Sequence, residues 1–309
     1  MHMYHGLAAL HLETPAALTI GVFDGVHRGH QQLVGAAVAQ AHALGGTSVV
    51  LTFDPHPDQV VRPARARPSL CSLDERLRLL AQAGVEHAVV LPFTAAVARL
   101  TAAQFMQDLA ARLALRVLCV GYDFRLGYGG AGTVEVLRTL GLRLGYAVQT
   151  VPAALVGETP ISSTLIRERL GVGDVGMATT LLGRVFTVCG PVVKGDQRGR
   201  TIGFPTANVR TPEMQLLPAD GVYACRVQIA GEQTWRPAVT NVGVRPTFGV
   251  LSRAVEAHLL NWSGDLYGQT LTVGFVERLR GEQKFNSIEA LKAQIAVDAA
   301  QAETLLIHG

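Results

Sequence analysis

Two hydrophobic patterns divide the chain. In the first half, short apolar runs at Leu18–Phe23, Thr47–Phe53, His87–Leu91, Arg116–Val120 and Tyr146–Val151 alternate with longer stretches that have helical periodicity. A continuous apolar run suits a strand covered on both faces, and the helices between such strands serve as parallel crossovers. The pattern predicts a doubly wound α/β domain whose ligands collect beyond the carboxyl ends of the strands. Helix boundaries are also marked: Ser72 with Glu75 and Thr101 with Gln104 have capping-box spacing, and Gly45 and Gly84 stand where helices end.

Past Pro160 the pattern changes. ISSTLIRERL (161–170) and GVGDVGMATTLLG (171–183) read as two short helices, the second a connector, which puts the boundary between Leu170 and Gly183 and the domains at 1–182 and 183–309. From there β-like runs at Arg184–Val193, Gly221–Ala230, Thr234–Val242, Ala254–Leu260 and Thr270–Leu279 are separated by Gly, Pro and Asn, with no room for crossover helices. An antiparallel, Greek-key-like β-barrel is expected. Ser287 can cap a final helix in which Ile288, Leu291, Ile295, Ala299, Ala302 and Leu306 keep helical spacing and pack on the barrel.

Composition narrows the functional classes. With 309 residues, 49% hydrophobic and 17% charged, the chain suits two globular domains rather than a disordered one. Its net charge of +3 is modest and its cations are scattered, so no nucleic-acid footprint is present, while anionic small molecules remain natural partners. No leader pattern opens the chain and no run approaches the roughly 20 apolar residues of a membrane span, so a cytoplasmic protein without membrane partners is expected. Cys71, Cys119, Cys189 and Cys225 are widely spaced and read as buried free thiols. Monomer and homo-oligomer are both left open.

The first chemical constellation is Gly21–His30, GVFDGVHRGH, directly after Leu18-Thr19-Ile20. Glycines let backbone approach a phosphate, and a helix starting near His30 would aim its free N–H groups and positive dipole end at that anion. His27 and His30 can donate to phosphate oxygens as charge develops. Alone, an H-x-x-H pair reads as solvated loop histidines; strand, glycines, Asp24 and both imidazoles together favour a nucleotide site. This H-x-G-H signature, with TFDPHP at Thr52–Pro57, VGYDFRLG at Val120–Gly127 and ISSTLIR at Ile161–Arg167, resembles the N-terminal half of the prokaryotic bifunctional riboflavin kinase/FMN adenylyltransferases, also called FAD synthetases.

The resemblance implies an ATP and flavin site at Gly21, Phe23, Asp24, Gly25, Gly29, Asp54, His56 and Asp123. It implies a phosphate clamp at Ser162, Ser163 and Thr164, which otherwise read as plain N-capping, and transition-state stabilisation by His27, His30 and Arg167. One segment departs from the family pattern: Gly130 replaces an arginine and Thr133 an acidic residue, so a slower, more selective or redox-dependent adenylylation is an alternative.

The second constellation lies in the barrel half. Lys194–Phe204 mixes glycines with cations and can close around polyphosphate, though alone it reads as a solvated hairpin. Thr206 and Asn208 in PTAN stand two apart, hence on one face if extended, and are oxygen donors of a kind Mg²⁺ accepts. In Ala254–Leu260, period-two alternation puts Glu256 and His258 opposite Val255, Ala257 and Leu259. GRTIGFPTANV, VEAHLLNWSGDLYG and LRGEQKF resemble riboflavin kinase segments. The resemblance implies nucleotide contacts at Lys194, Gly195, Arg200, Thr201, Gly203 and Phe204, Mg²⁺ on Thr206 and Asn208, and Glu256 as general base. Asn261 stands where the family has aspartate, an expected change in a turn.

The expected function is Mg-ATP-dependent conversion of riboflavin to FMN in the second domain and of FMN to FAD in the first, with riboflavin, FMN and ATP as partners. The alternatives are a kinase with weak adenylyltransferase activity, a nucleotidyltransferase for another substrate, and a non-catalytic flavin-binding module.

Overall fold

A computed structural model describes residues 1–195, 199, 202–247 and 250–307. The chain forms two compact units, Met1–Ser162 and Ser163–Gly309. Among the described residues no helix is long and apolar enough to cross a membrane.

The first unit is built on strands β1 (His2–His5), β2 (Leu12–Ile20), β3 (Thr47–Asp54), β4 (His87–Pro92), β5 (Leu113–Gly121) and β6 (Ala147–Val151). They form one sheet in the order β1-β4-β3-β2-β5-β6, and every neighbouring pair is parallel. The apolar runs work as the doubly wound pattern requires. Leu18, Ile20, Val49 and Leu51 face α5 (Ala102–Ala110) and α6 (Val134–Leu144), whereas Ala17, Val50, Val117 and Cys119 face α1 (Arg28–Ala43) and α3 (Leu73–Gln82). Helices α2 (Pro57–Val61) and α4 (Ala95–Ala98) are single short turns, and a small ribbon pairs β7 (Leu155–Val156) with β8 (Thr159–Pro160).

Local signals hold with three corrections. Thr101 and Gln104 form a reciprocal capping box, but Ser72 caps α3 alone, because the Glu75 side chain turns to Arg78 at 2.7 Å. The second strand stops at Ile20 rather than Phe23, whose backbone leaves the β region at φ 51°. Strand β1 has no counterpart among the apolar runs, because its half-exposed residues HMYH pair only at the sheet edge, where His2 stacks on His87 at 5.2 Å.

The second unit opens with α7 (Ser163–Gly171) and α8 (Val175–Leu182) and continues into a closed antiparallel barrel. Its strands are β9 (Phe186–Val193), β10 (Ala207–Val209), β11 (Gly221–Ile229), β12 (Trp235–Thr247), β13 (Val250–Leu259) and β14 (Thr270–Arg280), in the order β10-β13-β12-β11-β14-β9. The meander β11-β12-β13 with β14 returning beside β11 is a Greek key. Cys71, Cys119 and Cys225 are buried free thiols as expected, but Cys189 is exposed, because it falls on the outward face of β9.

Ser287 caps the terminal helix Ile288–Ile307, with its hydroxyl accepting from the Ala290 N–H at 3.1 Å. Only the later turns of that helix pack on the barrel, through Ala299, Ala302, Leu305 and Leu306, and Ile288 is left 59% exposed. In place of an apolar contact, the middle of the helix contributes Asp298, whose carboxylate receives Arg280 Nε at 3.0 and 3.1 Å and Nη2 at 2.8 Å. Both partners are shielded, and removing one leaves a buried charge alone, so Asp298→Ala should cost about 3 kcal/mol in denaturant unfolding. A loss under about 0.5 kcal/mol, the level of exposed pairs, would refute the role of this clamp.

Candidate functional site

Strand order reverses at β2: the chain leaves β2 for β3 on one side and later lays β5 on the other, which puts the crevice beyond the ends of β2 and β5. Gly21 lies immediately past β2. From Gly21 the backbone makes an unusual turn, with φ 51° at Phe23, 76° at Gly25 and 38° at Val26. A β-branched residue in that region is strained and is held there by its surroundings. The Phe23 ring is wholly buried, and the Asp24 carboxylate accepts from the Leu70 N–H at 2.9 Å and the Cys71 N–H at 3.4 Å. Gly25 N–H in turn donates to the Cys71 sulfur at 3.3 Å. Asp24 thus braces the turn from within.

The turn delivers His27 to the amino end of α1, which begins at Arg28 rather than His30. His27 Nδ1 accepts from the His30 N–H at 3.3 Å, capping the helix and leaving the ring proton on Nε2. The two imidazoles stack at 3.7 Å, and Phe23 meets His30 edge-on at 5.3 Å. Gly29 fits closely against that stack: a methyl there would lie 3.2 Å from the His27 ring, a tight contact, and 3.6 Å from the Ile161 carbonyl, an ordinary one. Burial, the neighbouring His27 and the Arg76 guanidinium hold the His30 pKa well below its usual 6.5. Arg76, which no sequence motif marks, is buried on α3 and donates to Thr52 Oγ1 at 3.2 Å and to the Phe53 carbonyl at 3.0 Å.

The other predicted residues of this half occupy varied settings. Asp54 is exposed at the end of β3, and Asp123 is exposed just past β5. His56 caps α2 by accepting from the Asp58 N–H at 3.1 Å. Ser162 closes the first unit, directly after Ile161, while Ser163, Thr164 and Arg167 belong to the second unit on the first turns of α7. The departure at Thr133 has a plain local outcome: its hydroxyl accepts from the Val136 N–H at 3.5 Å and caps α6, a task threonine and aspartate share. Gly130 sits in a left-handed turn, where its carbonyl accepts from Arg125 at 3.4 Å.

In the barrel, antiparallel register assembles a polar row. Asn208 on β10 pairs with Glu256 on β13, which pairs with Asn241 on β12, so three polar side chains from three adjacent strands share one face. Their neighbours Ala207, Val209, Val255, Ala257, Thr240 and Val242 are buried on the opposite face. Glu256 therefore projects away from its apolar neighbours, as the alternation predicts. Gly195 closes on the row: a methyl there would stand 2.5 Å from Asn208 Nδ2. Thr206 precedes β10 and lines a cavity of about 580 Å³ with Pro205, Ala257, Leu259 and Trp262–Tyr267.

His258 pins this edge, with Nδ1–H donating to the Pro205 carbonyl at 2.8 Å and its ring meeting Phe204 at 5.5 Å. The Phe204 N–H closes a turn onto the Gly199 carbonyl at 2.8 Å, with Gly203 at φ 89°. Lys194 is exposed after β9; Arg200 and Thr201 lie outside the described residues. Asn261, at φ 52°, adopts the left-handed turn that Asn and Asp tolerate and donates to Glu303 at 2.8 Å. Asn241 carries no motif of its own, and only the register reveals it; His258 is readable from its period-two spacing with Glu256.

The His30 environment has a measurable consequence. Its folded pKa lies below the unfolded value of 6.5, so the neutral ring's contribution to stability is full above that pH and declines as pH falls beneath it. Heteronuclear NMR should find the His30 imidazole titrating below the 6.5 of an ordinary histidine, and titration at or above 6.5 would contradict the geometry.

Comparison with known proteins gives concordant results in both halves. The FAD synthetase family model matches residues 10–165 and the riboflavin kinase model residues 182–306. The bifunctional riboflavin kinase/FMN adenylyltransferase of Escherichia coli K12 is 40% identical over 92% of this chain and 91% of its own length. Its namesakes from Pseudomonas fluorescens and Bacillus subtilis are 38% identical over 99% and 98%, and 34% over 94% and 92%, of this chain and their own. A crystal structure described as a macrolide-efflux protein from Streptococcus pneumoniae superposes with a TM-score of 0.89 at 30% identity, covering 98% of this chain and 99% of that one. With both family models matched in order and these relatives similar along nearly their whole length, the chain belongs to the bifunctional riboflavin kinase/FMN adenylyltransferases, the prokaryotic FAD synthetases.

Proposed function

We propose that this chain makes FAD from riboflavin in two ATP-dependent steps, the first in residues 183–309 and the second in residues 1–182. The observation that carries the reading is the register that sets Asn208 across from Glu256, in a unit separate from the stacked His27–His30 pair. Two different transfer chemistries thus have two different sets of residues.

In the kinase step the ribityl hydroxyl attacks the γ-phosphorus of ATP, the bond to the β,γ-bridging oxygen breaks, and ADP and FMN result. Glu256 accepts the hydroxyl proton. Asn241, beside it, is placed to orient the carboxylate or the substrate. Gly195, Gly203 and the cations of the Lys194–Phe204 loop follow the nucleotide phosphates. The Thr206 hydroxyl and Asn208 carboxamide are hard oxygen donors suited to Mg²⁺, and Gly195 lies close against Asn208. When bound, the ion would draw charge from the transferring phosphoryl group.

In the adenylyl step a phosphate oxygen of FMN attacks the α-phosphorus of a second ATP, the α,β-bridging bond breaks, and pyrophosphate leaves as FAD forms. His27 donates from Nε2, the ring nitrogen opposite the one that caps α1, toward the developing charge, with His30 and the amino end of α1 adding donors, and Arg167 keeps the role that its ISSTLIR motif implies. Ser162, Ser163 and Thr164 hold phosphate oxygens, and Asp54, His56 and Asp123 lie near the nucleotide or flavin. At the departure from the family pattern, the Thr133 hydroxyl keeps the α6 cap that an acidic residue would also supply.

The two sites separate by mutation. Glu256→Ala should lower riboflavin phosphorylation at least about 10²-fold and spare conversion of FMN to FAD. His27→Asn, which keeps a good helix cap while removing the imidazole, should lower FAD formation about 10²-fold and spare the kinase. Chromatography of riboflavin, FMN and FAD reads both steps, and equal loss of the two activities in each variant would defeat the two-site model.

A further inference from the structure

The cation beneath the first site lacks a counter-ion. Arg76 is 3% exposed, yet its Nε has no hydrogen-bond partner, and no carboxylate pairs with the guanidinium among the described residues. Thr52 and Phe53 satisfy one amino group with neutral oxygens only. Burying a guanidinium without a compensating charge is strongly destabilising, and an apolar residue of similar volume would serve a helix face better. The arrangement makes sense if an anion arrives during function.

Two connections tie Arg76 to the nucleotide turn. Thr52, which accepts from Arg76 Nη1, donates its own hydroxyl hydrogen bond to the Val22 carbonyl at 3.0 Å, so the guanidinium is hydrogen-bonded through one side chain to the residue after Gly21. Its field also reaches His30, where it adds to the burial that keeps the ring neutral. With the His30 ring held neutral, that imidazole brings no permanent charge to a polyphosphate. A guanidinium stays charged throughout the working pH range.

We propose that Arg76 is a positioning residue for adenylyl transfer, whose charge, paired with no carboxylate, adds positive potential beneath the Gly21–His30 turn and is balanced by the polyphosphate of ATP and the departing pyrophosphate. The nucleotide, rather than a protein carboxylate, is its counter-ion. The proposal rests on the assignment of FMN adenylylation to the first unit.

Full-length Arg76→Gln keeps a donor toward Thr52 and Phe53 and removes the charge, whereas Arg76→Lys keeps the charge. The forward reaction (FMN with Mg-ATP), the reverse reaction (FAD with Mg-pyrophosphate) and riboflavin phosphorylation are measured side by side, with ligand-free thermal midpoints. In Arg76→Gln, kcat/KM for ATP and for pyrophosphate should fall about 10²-fold with KM for FMN unchanged, and Arg76→Lys should recover to within about tenfold of wild type. Riboflavin phosphorylation should be unaffected, and the ligand-free midpoint of Arg76→Gln should equal or exceed that of wild type, because a buried unpaired charge has gone. Wild-type behaviour of Arg76→Gln, a lysine variant no better than the glutamine one, or a lowered ligand-free midpoint that tracks the lost activity would each overturn the proposal. Wild-type protein forming no FAD would overturn the functional assignment and this proposal with it, whereas active wild type with an indifferent Arg76→Gln would overturn this proposal alone.

Discussion

Backbone held in the left-handed region at Phe23 and Val26 is the constraint on which the first site depends. Conformations of that kind cost about 1–3 kcal/mol each for ordinary residues, so the surrounding fold has to hold them in place. It does so from beneath: Phe23 is packed into the core, Asp24 takes the amide hydrogens of Leu70 and Cys71, and Cys71 receives that of Gly25. Without this bracing the chain could run on from β2 as an extended strand. With it, the chain turns sharply, starts α1 at the strand's carboxyl end, and stacks two imidazoles where the helix presents its amino terminus. Asp24 matters to the site through the backbone it holds.

In the barrel the corresponding constraint is register. Antiparallel pairing has a side-chain period of two, so a slip of one residue would move Glu256 to the apolar interior and bring Val255 or Ala257 outward. The buried alternation of β10, β12 and β13 forbids that slip, and the row Asn208–Glu256–Asn241 is its polar reverse side. The Arg280–Asp298 clamp then secures the terminal helix over another part of the same outer surface, against Val222, Ala224 and Val239. Hydrophobic burial on one face of the strands thus orders the chemistry on the other.

Much of the candidate site was legible in the chain because its residues are contiguous. Gly21–His30 is contiguous, its glycines and histidines are read together, and the end of β2 places them at the point where strand order reverses. Glu256 could be assigned its face from alternation alone. Thr133, which looks like a loss when compared with the family pattern, becomes an ordinary N-cap once α6 is seen to begin beside it. By contrast Arg76 sits in DERLRLL, where an arginine at helical spacing next to Glu75 and Arg78 resembles a solvated face; Arg78 does pair with Glu75 at the surface, while Arg76, two residues away, points inward.

By itself, then, the sequence determined two architectures, their order, most of their elements and the contiguous motifs, because the hydrophobic period and short-range capping or turn chemistry are properties of neighbouring residues. Tertiary structure alone decided what depends on distant partners: the edge strand β1, the inward aim of Asp24 toward residues 46 and 47 positions away, the alignment of Asn241 with Glu256, the hold of His258 on Pro205, and the burial of Arg76. Each is a side chain of unremarkable spacing whose role comes from the surface or backbone it meets, and strand order and register, set by packing of the whole core, choose that partner.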